Sequence, residues 1–110
     1  MSDDRTADAQ PVLECVIFRL RPGVTEAAFR AAIPATGAFL RAAPGFLHRR
    51  LGRAEDGEWH DHVEWASMEA AWAAARDFMA EPSTRAFNDA IDPATSRMRH
   101  YAVQASTDPE

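Results

Sequence analysis

The stretch FLHRRLGRAEDGEWHDHVEWA, residues 46–66, decides how the rest of the chain is read. Two runs, Phe46–Ala54 and Glu58–Ala66, flank Glu55-Asp56-Gly57-Glu58, and an Asp-Gly pair favours the positive φ angles of a tight hairpin turn. A hairpin in mid-chain needs further strands beside it. Upstream, Val12–Leu20 is rich in β-branched and aromatic residues and ends at Pro22-Gly23. Thr25 then offers an N-cap to a helix carrying Phe29, Ile33, Thr36 and Leu40 at 4-3-4 spacing, closed by Pro44-Gly45. Pro34 lies inside that pattern without a backbone donor, which predicts a kink or break near Ala32. Downstream, Ser67 caps a second helix with Met68, Trp72, Ala75 and Met79 at the same spacing, ended by Glu81-Pro82. A short helical piece with Phe87 and Ile91 leads to Asp92-Pro93, and a last strand covers about Ser96–Val103. The order β-α-β-β-α-(α)-β predicts an α+β, ferredoxin-like domain with a four-stranded antiparallel sheet.

Composition agrees with one domain. The chain has 110 residues, 46% hydrophobic and 26% charged, enough for a core without disulfides or a structural metal. That domain is expected over residues 11–104, between polar, aperiodic tails at 1–10 and 105–110. No apolar run approaches the roughly 18 residues of a membrane span. The acidic start is unlike a signal peptide, and the single cysteine cannot form an internal disulfide, so a cytoplasmic setting is expected. A formal net charge of −5 argues against nucleic acid as a partner. All 12 basic residues are arginine, which removes lysine Schiff-base and P-loop phosphate chemistry.

The first strand alternates apolar groups on both faces: Val12, Val16, Phe18 and Leu20 on one, Leu13, Cys15 and Ile17 on the other. The hairpin also offers large apolar groups to both sides. Two helices cover one side of such a sheet. Burying about 500 Å² of the other at ~25 cal/mol per Å² gives on the order of 12 kcal/mol before association costs. A homodimer packed sheet to sheet is therefore expected.

The succession Phe18-Arg-Leu-Arg-Pro-Gly23, Pro44-Gly-Phe46, Asp56–Ser67, Ala71-Trp-Ala-Ala-Ala75 and Met98-Arg-His100 resembles the antibiotic-biosynthesis-monooxygenase-like (ABM) family of the dimeric α/β-barrel superfamily. The resemblance spans Val12 to Val103. It implies a dimeric α/β barrel with a ligand cavity between sheet and helices in each subunit. It also implies several possible chemistries: cofactor-free oxygenation of aromatic or quinone-like molecules, haem degradation, isomerisation, cyclisation, or simple binding of a small hydrophobic molecule.

Pairing Glu55 with Glu58 sorts the hairpin side chains. Phe46, His48, Arg50, Trp59, Asp61, Val63 and Trp65 then share one face; Leu47, Arg49, Leu51, Arg53, His60, His62 and Glu64 share the other. On the first face His48 is a candidate base for a phenolic or enolic proton, and His100 on the last strand is a second. Trp59, Asp61, Trp65 and Trp72 are candidate substrate-binding groups. The plainer alternative makes the tryptophans core and has Arg50 neutralise Asp61. His60, His62 and Glu64 have chelating spacing, but this register surrounds them with Arg49, Leu51 and Arg53, so no metal is expected. The haem-degrading branch of the family implies an asparagine on the first strand and a histidine on the second helix. Neither is present, so no haem, and no other cofactor, is expected. The reading is a cofactor-independent monooxygenase of a small aromatic or quinone-like molecule; the alternative is a non-oxygenase barrel acting as binder, isomerase or cyclase.

Overall fold

A computed structural model describes residues 10–110; the tail expected at the N-terminus lies outside them except for Gln10. The elements are β1 (Val12–Phe18), α1 (Glu26–Ala42), β2 (Phe46–Arg53), β3 (Trp59–Trp65), α2 (Met68–Ala80), a 3₁₀ turn (Pro82–Thr84), α3 (Arg85–Ala90) and β4 (Arg97–Ala102). The strands form one antiparallel sheet in the order β2-β3-β1-β4. This is the ferredoxin-like α+β arrangement. Residues 105–110 are exposed and carry no regular structure. Among the described residues no helix is long and apolar enough to cross a membrane.

Both long helices start on predicted caps. Thr25 Oγ1 accepts from the Ala28 amide at 3.1 Å, and Ser67 Oγ from Ala70 at 3.1 Å. The break expected near Ala32 does not occur, and α1 runs unbroken for 17 residues with Pro34 inside it. Proline removes one helical hydrogen bond, but Phe29 on one side of it and Thr36 and Leu40 on the other are all buried. Packing at both ends outweighs one missing bond. The inward face of α2 also differs from expectation. Ala71 and Ala74 are buried, whereas Trp72 is 61% and Met79 71% exposed. Small residues let α2 approach the sheet closely; of the larger 4-3-4 stripe, Trp72 points outward, while Ala75 and Met79 border the space between helix and sheet.

The hairpin register is off by one from the sequence reading, with consequences for the site. The Ala54 amide donates to the Glu58 carbonyl at 2.7 Å and the Gly57 amide to the Ala54 carbonyl at 3.0 Å. Gly57 has φ +97°. The loop therefore has three residues, Glu55 to Gly57, with glycine in the left-handed position, instead of the two-residue Asp-Gly turn. Arg53 now pairs with Trp59, Leu51 with Asp61 and Arg49 with Val63. A one-residue slip turns every β2 side chain over. A bulge between Phe46 and His48 then returns Phe46 to the side of Trp65, ring centroids 5.8 Å apart.

Two buried clusters hold the helices on the inner sheet face. Phe18, Phe29, Trp59 and Phe87 form one, with Phe29 centred 4.8 Å from both Trp59 and Phe87. Leu40, Val63, Trp65, Ala71 and Ala74 form the other.

Candidate active site

A cavity of about 620 Å³ lies between the inner sheet face and the helices, within the range typical of small-molecule sites. Its apolar wall includes Val16, Val63 and Trp65 from the sheet and Leu40, Phe78 and Phe87 from the helices. Four polar side chains matter most: Glu14, Arg49, Asp61 and Asn88.

Glu14 is the central group. It stands on β1 between Val12 and Val16, on the strand face that points inward, and is 8% exposed. Such a carboxylate requires partners. One oxygen accepts from Trp65 Nε1 at 3.4 Å, and the other lies 2.9 Å from His100 Nε2. The sheet sets this up, because His100 on β4 is the register partner of Glu14. Trp65 on β3 is the register partner of Val12, two residues along the same face. Three adjacent strands thus converge on one carboxylate.

Asp61 is fully committed elsewhere. Arg49 meets it with Nε and Nη2, both at 2.8 Å, in a forked pair. The remaining guanidinium nitrogen, Nη1, donates to Thr36 Oγ1 at 2.8 Å, and that hydroxyl donates to the Ile33 carbonyl at 2.6 Å. The guanidinium carbon also lies 5.7 Å from the centre of the Phe87 ring. This unit ties β2 and β3 to α1 and gives the cavity a fixed polar wall.

The predicted residues separate accordingly. Trp65 and Asp61 line the cavity, and His100 reaches its edge through Glu14. His48 does not: the corrected register pairs it with Glu64 on the outer face, where it is exposed. Arg50 turns outward with it, and the neutralising partner of Asp61 is Arg49. Trp59 is 3% exposed and packs in the aromatic cluster. Trp72 faces away from the cavity. Glu14 and Arg49 were missed as site residues. Glu14 was legible as the one charge in the inward series of an apolar strand, whereas Arg49 depended on the turn.

No protein-family model matches the chain, and no curated protein matches it. Solved structures do. SnoaB, a cofactor-independent oxygenase from Streptomyces nogalater, aligns in a mutant form over 93% of this chain and 100% of its own, with TM-score 0.69 and 23% identity. A proposed antibiotic biosynthesis monooxygenase from Bordetella bronchiseptica aligns over 87% of this chain and 99% of its own, with TM-score 0.71 and 17% identity. Rv0793 from Mycobacterium tuberculosis aligns over 89% and 99%, with TM-score 0.67 and 20% identity. The chain has the ABM fold. In this chain Glu14 lines the apolar cavity and pairs with His100 beside it. Such a couple can take a proton from a phenol or enol, and the desolvated surroundings then hold the anion away from water.

Proposed function

We propose that this chain is a cofactor-independent monooxygenase of a small aromatic or quinone-like molecule, working in the cytoplasm as a homodimer. The observation that carries the reading is Glu14, nearly buried, open to an apolar cavity, and backed by His100 and Trp65. The likeness of the fold to SnoaB supports the same chemistry. In this reading Glu14 takes the acidic proton of the substrate and shares it with His100 Nε2. The substrate anion gives an electron to molecular oxygen, and the resulting radical pair combines as a carbon-bound peroxide. Loss of the remaining proton on that carbon breaks the O–O bond, leaving a carbonyl and releasing hydroxide. The proton held by Glu14 and His100 completes water. A CH₂ position and one O₂ thus become C=O and one H₂O, with no external reductant. Asp61, locked by Arg49, contributes shape and field to the pocket, while Trp65 supplies a flat apolar surface for the ring.

The test is oxygen consumption with a panel of hydroquinones and polycyclic phenols, run with and without air. One O₂ used per product is expected, and Glu14→Gln is expected to lower kcat/KM by about 10²–10⁴. Equal conversion in both atmospheres would replace the reading with an isomerase or cyclase. Tight binding without conversion would leave a pure binder. Ala75→Phe, projecting from α2 into the cavity, is expected to preserve folding and abolish ligand binding.

A further inference from the structure

The geometry points to a second site, on the outer face of the sheet, in which Cys15, His60 and His62 bind one zinc ion. It lies across the sheet from the cavity and does not depend on the proposed oxygenase reading. Cys15 on β1 and His62 on β3 are register partners, and His60 is two residues along the same face of β3. One donor atom from each of the three lies within 4.8 Å of the others. Cys15 Sγ and His62 Nδ1 are 3.7 Å apart. Zinc bonds of about 2.3 Å to sulfur and ~2.0–2.1 Å to nitrogen, at a tetrahedral angle, require an S···N edge of about 3.6 Å. This pair already has it. His60 must move inward slightly, and it has room. Its partner on β2 is Gly52, and a Cβ built there would meet nothing within 4 Å.

The corrected register changes which arginines stand beside these residues. Arg49 and Arg53 do not surround these histidines. They face inward, held by Asp61 at 2.8 Å and by Glu26 at 2.6 Å. The arginines that remain on the outer face nearby are Arg50, opposite His62, Arg97, opposite Ile17 and so one strand beyond His60, and Arg99, opposite Cys15, with its guanidinium 5.2 Å over the Tyr101 ring. Glu64 on the same strand face partly offsets them. On binding, the Cys15 S–H bond breaks, the sulfur bonds the ion, and the proton passes to solvent. The thiolate charge then compensates half of the dication. Three protein donors leave a fourth tetrahedral position for water.

The experiment titrates the metal-free full chain with Co²⁺ alone, then displaces it with Zn²⁺. One ion per chain is expected, with a thiolate-to-cobalt charge-transfer band and the intense visible bands of four-coordinate cobalt. The chain has one cysteine, so that band reports Cys15 and no other thiol. Cys15→Ser is expected to abolish it. His60→Ala and His62→Ala are each expected to weaken binding by more than about tenfold, the scale of loss that even outer partners of a metal produce. Absence of the band in the wild-type chain, or cobalt binding unchanged in Cys15→Ser, would overturn the proposal. A readout on the unaltered protein avoids any folding defect of the variants: at low protein concentration and low ionic strength, where the chain is single and Cys15 is not covered by a second copy, saturating Zn²⁺ is expected to block its alkylation. Alkylation at the metal-free rate would overturn the proposal equally.

Discussion

At the scale of single residues, the inner sheet face carries two carboxylates with different fates. Glu14 has a histidine and an indole beside it and the cavity before it, so it remains available to a substrate. Asp61 has an arginine fork on both oxygens, and both side chains are mostly buried, 11% and 14% exposed. Removing one member of such a pair leaves an uncompensated buried charge. Arg49→Met is therefore expected to cost about 3–5 kcal/mol of stability in urea unfolding. The double change Arg49→Met with Asp61→Leu is expected to recover most of that loss, because no buried charge is then stranded. If the double variant proves as unstable as the single, the fork is not the source of the cost. Cys15 illustrates the opposite face. Burial, and then the charge of Glu14, push its thiol above the ordinary value. In metal-free protein it is expected to react with iodoacetamide more slowly at neutral pH than a free thiol, and faster as pH rises.

At the scale of elements, the hairpin turn controls the chemistry because it decides which β2 side chains face the cavity. Gly57 at φ +97° closes the three-residue loop. A side chain there is strained, so Gly57→Ala is expected to lower stability by about 1–3 kcal/mol. Asp56 supports the same loop. Its Oδ1 accepts the Glu58 amide at 3.1 Å, and its other oxygen pairs with Arg19 at 2.9 Å. That amide first, then the arginine, hold its carboxyl below the usual carboxylate value of 3.8. A depressed folded-state value means stability that is complete above the unfolded value and is lost as pH falls through the folded one. Thermal melts of Asp56→Asn and wild type are thus expected to differ most near neutral pH and to converge in strong acid. Divergence toward acid would contradict this. The element order, both N-caps and all four strands were legible in the sequence, because periodicity and capping are local. The register was not. Asp-Gly fits both a two-residue and a three-residue loop, and only the closing hydrogen bonds choose between them. His48 and Arg49 exchanged faces on that choice. The α2 stripe was likewise illegible, because alanine gives no pattern strong enough to outweigh Met68, Trp72 and Met79.

At the scale of the molecule, the helices cover the inner sheet face and leave the outer one to solvent or to a second copy. That outer face is less apolar than the sequence reading assumed, since Leu51 belongs to the inner side with Trp59. Its apolar ridge is Leu13 and Ile17 on the central strand β1, with Tyr101 beside it on β4. Around the ridge stand Arg50, Arg97 and Arg99 against, among the described residues, the single carboxylate of Glu64. A two-fold axis sets identical patches against each other, so two copies meeting here bring like charges together. Their attraction must come from the ridge, and added salt must relieve the repulsion. Sedimentation equilibrium at micromolar concentration is therefore expected to show a species of twice 12.2 kDa whose share grows as ionic strength rises. Leu13→Asp is expected to return it to single chains with the cavity still able to bind ligand. A dimer that weakens with salt would have to use a different, charge-paired surface. Single chains at every salt concentration would mean that the outer face is stable in water and that each cavity works alone.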